Sequence, residues 1–239
     1  MIKIRENILS QLQNLGLSNL EGRPYDCSFE LLAAPKERKR LIMVGFNGSL
    51  ADKEQTNAKA IQDSFHEPQL SNIQNGLNGA WGPKTLANRL KSLTECLGFD
   101  VENTIYTNAL LLCSQNAYEI KRAAEGKILG DLNGLIDGSM KFFSEVTIPL
   151  SQPELIVAYS NGLSSLSATK ILLDTFGLKD TFHEEQSSSY YTTYSFLARF
   201  GDLHVPVVGI RHMSRFKPKS DLIRSAWKVQ QGKLQQLRG

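Results

Sequence analysis

Cysteine is scarce in this chain of 239 residues: Cys27, Cys96 and Cys113 lie far apart. That excludes a multi-disulfide framework and a four-cysteine iron–sulfur cluster built within the chain, and makes reduced thiols in a cytoplasmic protein the expectation. Long apolar runs are missing as well. No stretch approaches the roughly 18 apolar residues of a membrane span, and Met1-Ile2-Lys3-Ile4-Arg5-Glu6 lacks the apolar segment of an export signal. No Gly-x-Gly-x-x-Gly or Walker loop follows an apolar run, which ranks the common nucleotide-binding enzymes last. Internal repeats and low-complexity tracts are absent. Neither charge sign dominates, with 27 Lys and Arg against 24 Asp and Glu; the net +3 suits an anionic partner without requiring one.

What is present is apolar content of 41%, enough over this length for one large α/β core, so residues 1–239 are expected to form a single domain. Four short apolar runs have the length of buried parallel strands: Leu41 to Gly45, Ile105 to Thr107, Leu155 to Tyr159, and Val205 to Ile210. Helical spacing marks Leu86, Leu90, Leu93 and Leu97, with Gly98 as the stop. It also marks flanking helices over 1–20 and 220–237 and a less regular helical stretch over 118–150. Ser187 to Phe200, with its three tyrosines, reads as an extra strand or hairpin, and the tyrosines as strand packing. The expected fold is a three-layer α/β/α arrangement around a central, mainly parallel four-stranded sheet.

In such sheets ligands bind beyond the carboxyl ends of the strands. Each expected strand delivers a polar residue there: Asn47, Asn108, Asn161 and His212. Asparagine also serves ordinary turns, so it is the set of four that points to a site. Asn161, in Ser160-Asn161-Gly162, is read as opening a helix, where N-capping explains it better than phosphate binding.

Gly45-Phe46-Asn47-Gly48-Ser49 resembles the first motif of the uracil-DNA glycosylase superfamily, in the asparagine version of its mismatch-specific and single-strand-selective members, with Gly48 where proline is usual. Thr107-Asn108-Ala109-Leu110-Leu111-Leu112 is similar to the family strand whose asparagine reads the extruded base. Gly82-Pro83 through Leu97-Gly98-Phe99-Asp100 resembles a passage of the bacterial thermostable branch, whose iron–sulfur cysteines this chain lacks. His212-Met213-Ser214-Arg215-Phe216 matches the closing His-Pro-Ser motif and its wedge residue, with Met213 for proline. The resemblance covers roughly residues 41–220.

That resemblance implies hydrolysis of the N-glycosidic bond of uracil, or of a related deaminated or modified pyrimidine, in base-excision repair. Such chemistry passes through a sugar cation and a departing base anion, so it needs a donor on the base and a group holding water near the sugar. His212 is the expected donor and Asn47 the expected water holder; an amide cannot take the water's proton, so turnover slower than in aspartate-bearing relatives is expected. Asn108 carries the donor and acceptor that match a uracil edge, or a cytosine edge if the amide flips. Ser49 stands where a bulky residue would exclude the thymine methyl. Trp81 is the first candidate to stack on the base, with Phe46 and Phe65 as rivals. Ser214, Arg215, Phe216, Lys217 and Lys219 are the expected DNA contacts; the lysines also suit an ordinary solvated face. No cofactor and no metal are expected, and the partner is single- or double-stranded DNA met by a monomer. The competing expectation is a weak or inactive homologue that binds nucleic acid or a nucleobase, favoured by Gly48, Met213 and the missing carboxylate at position 47.

Overall fold

The computed structural model describes residues 10, 14, 40–48, 84–100, 104–112, 114, 119–125, 130–188 and 191–238. The flanking helix over 1–20 falls outside them apart from Ser10 and Asn14, which are helical.

Strand β1 (Leu41–Asn47), β2 (Thr104–Leu110) and β3 (Leu155–Ala158) come from the first three apolar runs, and β6 (Leu203–Gly209) from the fourth. Between them lie β4 (His183–Ser188) and β5 (Tyr191–Phe200). Among the described residues the sheet therefore has six strands rather than the four expected, in the order β2-β1-β3-β6-β5-β4. The four apolar strands are parallel neighbours; β5 and β4 extend the β6 edge antiparallel. The second strand of this hairpin accounts for the ambiguous Ser187–Phe200 segment. The first, His-Glu-Glu-Gln-Ser-Ser, is a polar edge strand with no apolar alternation to announce it.

Helices cover both faces. Side chains alternate along each strand, so Ile42, Val44, Phe46, Ile105, Ile156 and Val207 face one way, into a core closed by α3 (Leu132–Phe142) and α4 (Ala168–Phe176). The short α2 (Ile120–Ala124) adds Ile120 and Ala124 to this core. Leu41, Met43, Tyr106, Val157 and Val208 face the other way, against α1 (Lys84–Cys96) and α5 (Ser220–Arg238). Helix α1 buries the expected Leu90 and Leu93, Leu97 is buried in the turn just past its end, and Gly98 follows with a φ of +81° that suits glycine. The stretch over 118–150 resolves into α2 and α3, the latter running on through a π-turn at Phe143–Thr147 to Ser151.

One helix starts later than expected. Ser160-Asn161-Gly162 does not open it: α4 begins at Ala168, where the Ser167 side chain accepts from the Lys170 N–H at 3.1 Å. The 220–237 helix is present as α5, seated on the hairpin by the buried Gln230, whose amide donates to Thr181 O and Ser195 Oγ, each at 3.0 Å.

Candidate functional site

The order β2-β1-β3 means the chain leaves β1 for one neighbour and later returns to the other. Such a reversal opens a crevice beyond the carboxyl ends of β1 and β3, because the following connections depart to opposite sides. Parallel register then sets a row of side chains at that end. Gly45 lies beside Asn108 of β2, and Tyr159, one residue past the Val44–Ala158 pair, lies on its other side. A Cβ on Gly45 would stand 2.3 Å from Asn108 Oδ1 and 2.7 Å from the Tyr159 hydroxyl oxygen. Both side chains thus close over the Gly45 backbone, an approach possible only because residue 45 has no side chain. Asn47, two residues along β1, shares this face.

Asn47 is held from one side. Its Nδ2 donates to Gly48 O at 3.0 Å and to Ser114 Oγ at 2.8 Å, and the Ser114 N–H donates to Gly48 O at 3.1 Å. With the amide nitrogen committed, Oδ1 is the end that can accept from a water. Phe46, one residue away, turns to the opposite face and is 7% exposed in the apolar core, so it is not brought to the cluster.

His212 follows β6 on a tight turn in which the N–H groups of Arg215 and Phe216 donate to His212 O. Its Nδ1 lies 3.2 Å from the Ser214 N–H and 2.7 Å from Ser214 Oγ. A backbone N–H can only donate, so Nδ1 is the acceptor and the neutral ring carries its proton on Nε2. Burial, assisted by the Arg215 charge, holds the imidazole below its ordinary range. The ring packs edge-on to Tyr159, centroids 5.8 Å apart. Met213, in the proline position, is fully buried, and its carbonyl accepts from Arg89 Nη1 of α1 at 2.6 Å. That side chain anchors the turn into the core.

Beyond it the chain is cationic. Arg215, Lys217 and Lys219 are exposed, while Phe216 is half-buried with the Arg211 guanidinium 4.1 Å from its ring centre. Tyr191 at the start of β5 clamps this stretch: its hydroxyl donates to Lys217 O and accepts from the Lys219 N–H, both at 3.2 Å. The Lys219 ammonium lies 4.8 Å from the Tyr191 ring centre. Burial pushes the Tyr191 hydroxyl up, against the Lys219 N–H, Arg211 and Arg89.

Asn161 makes a different contact from the expected cap. Its Nδ2 donates to Thr192 O at 2.7 Å, tying the β3 loop to β5. The start of β5 therefore braces the two loops flanking the site, one through Tyr191 and one through Thr192.

Asn47, Gly45, Asn108 and Ser114 thus meet around the ends of β1 and β2, with Tyr159 and His212 on the β3 and β6 side. Ser49, Trp81 and Phe65 lie outside the described residues. Tyr159, Ser114, Arg89 and Tyr191 were not singled out as site residues from sequence. Tyr159 had a usable signal as the last residue of an apolar run, in step with Val157 on the face opposite Ala158; the other three had none. Among the described residues no group of three or more His, Cys, Asp or Glu side chains is placed to hold a metal ion, and no helix is long and apolar enough to cross a membrane. Compared with known proteins, the chain matches no family model and no curated sequence.

Proposed function

We propose that this protein is a monofunctional DNA glycosylase of the uracil-DNA glycosylase kind, hydrolysing the N-glycosidic bond of uracil or a related deaminated or modified pyrimidine. The observation that carries it is the tautomer of His212. With Nδ1 occupied by Ser214, a neutral imidazole offers Nε2–H to an oxygen that gains charge as the base departs. A donor fixed before the reaction needs no reorganisation as the bond breaks. Asn108 supplies the complementary edge for a pyrimidine, and Asn47 Oδ1 holds the water without deprotonating it. Arg215 and Lys217, with Lys219, meet backbone phosphates, and Phe216 takes the gap left by the extruded nucleotide.

A second reading is a homologue that binds a nucleobase or nucleic acid without turnover. It is favoured by the commitment of the Asn47 amide to Gly48 and Ser114, which leaves a single weak acceptor where a carboxylate would activate water. One assay separates the two. Purified protein is incubated with labelled single- and double-stranded oligonucleotides carrying uracil, thymine opposite guanine, or hypoxanthine, and abasic sites are cleaved with alkali. A glycosylase gives cleavage, reduced roughly 100- to 1000-fold in His212→Ala. DNA binding with no cleavage of any substrate decides for the second reading. Cleavage that survives Asn47→Ala and His212→Ala together rejects the site.

A further inference from the structure

We propose that Tyr159 is the positioning residue of this site, its ring walling His212 from water and its hydroxyl bordering the Asn108 amide above Gly45. The consequence for base choice rests on the glycosylase reading; the placement itself does not. Tyr159 stands at the open carboxyl end of the sheet, where side chains ordinarily meet solvent, yet it is only 9% exposed. Its backbone is pinned by an N–H that donates to Val44 O at 2.9 Å. The ring meets the imidazole at 69°, an edge-to-face pair that restricts how the imidazole can turn.

The other end of the same side chain addresses the second recognition group. Asn108 Oδ1 and the Tyr159 hydroxyl both point into the space above Gly45, so the amide oxygen faces a hydroxyl that can donate to it. An amide with its oxygen fixed on one side presents one donor–acceptor order to a base. A free amide presents both orders and accepts uracil and cytosine alike. One tyrosine therefore couples the group that stabilises the leaving base to the group that reads it.

The charged group acting on His212 is Arg215 of its own turn, while Arg89 of α1 reaches that turn at the Met213 carbonyl and the loop after β3 contributes the Tyr159 ring. Opening the Tyr159 side of the ring admits water without removing any of these cations. The effect of the ring is thus separable from that of charge.

The test uses the full chain, Tyr159→Phe and Tyr159→Ala. The His212 imidazole is titrated by NMR, and excision of uracil is compared with that of cytosine in matched oligonucleotides. In Tyr159→Ala the His212 midpoint moves up toward 6.5, because water replaces the ring. In Tyr159→Phe the midpoint stays in place, while the uracil-over-cytosine ratio falls about tenfold as the Asn108 amide is released. A core tyrosine with a packing role alone would move neither in the phenylalanine variant. A His212 midpoint unchanged in Tyr159→Ala overturns the proposal whether or not the protein cleaves DNA. An unchanged base ratio in Tyr159→Phe overturns the part assigned to the hydroxyl. A wild-type protein that cleaves nothing but shows the midpoint shift rejects the glycosylase reading and upholds the placement of Tyr159.

Discussion

His212 carries the most direct pH signature. Its folded value lies below the ordinary 6.5, so between the two values the unfolded chain binds more protons than the folded one. The stabilisation from the neutral ring is therefore complete above about 6.5 and is lost as pH falls through the folded value. Activity that needs the neutral donor should follow the same limb, with kcat/KM holding below 6.5 before it drops; a rate that falls as pH rises through neutrality would assign His212 the protonated role. Gly45 gives a second residue-scale prediction. A methyl there meets Asn108 Oδ1, the Tyr159 hydroxyl and the ring carbon that bears it well inside contact distance, and the Tyr159 ring is buried against His212, so room is made only by displacing it. Gly45→Ala should therefore cost activity at least tenfold and lower the melting temperature as well, measured by kcat/KM and thermal unfolding. Ser114→Ala should lower kcat several-fold at unchanged KM, because it frees the Asn47 amide that Ser114 holds at 2.8 Å.

Among the elements, the hairpin of β4 and β5 does more than widen the sheet. Tyr191 and Thr192 open β5 and reach, respectively, the basic stretch after His212 and the loop after β3. Tyr191→Phe removes the hydroxyl that joins Lys217 to Lys219 and keeps the ring beneath the Lys219 ammonium. Losing those contacts, with a net worth of about 1 kcal/mol, should weaken DNA binding several-fold and leave its salt dependence unchanged, since no cation is lost. Titration of fluorescent DNA at several salt concentrations checks both parts. The polar hairpin strand was illegible in the sequence because an edge strand needs no apolar alternation. Ser160-Asn161-Gly162 misled for a related reason: the letters that cap helices also make the loop after β3, which Asn161 ties to β5.

At the scale of the whole molecule, the two ends of the sheet differ in chemistry. The carboxyl end gathers Asn47, Asn108, Tyr159 and His212 beside Arg211, Arg215, Lys217 and Lys219. The amino end holds a cleft of about 790 Å³ lined by Ile148, Pro149, Phe176, Phe200 and Leu203 with Arg199 at hand, and none of the residues expected at the site. On the proposed reading DNA meets the carboxyl end, and the salt dependence of its binding should report it. Each phosphate contact contributes a slope of about −0.9 in log K against log salt on duplex DNA, so Arg215→Ala should reduce the slope by about 1. Removing Arg199, at the opposite end, should leave it unchanged.

The sequence by itself determined the four buried strands, since only apolar runs can fill a sheet covered on both faces, and the extent of α1, since its leucine spacing and Gly98 act locally. It also placed Asn47 and Asn108 near strand ends. Only the tertiary structure decided that β1 lies between β2 and β3, and so that Tyr159 and Asn108 close over Gly45. It alone decided that Phe46 turns into the core and that Asn161 braces β5. These outcomes follow from which strands become neighbours and in what register, and contacts between residues so distant in the chain leave no mark in local composition or periodicity.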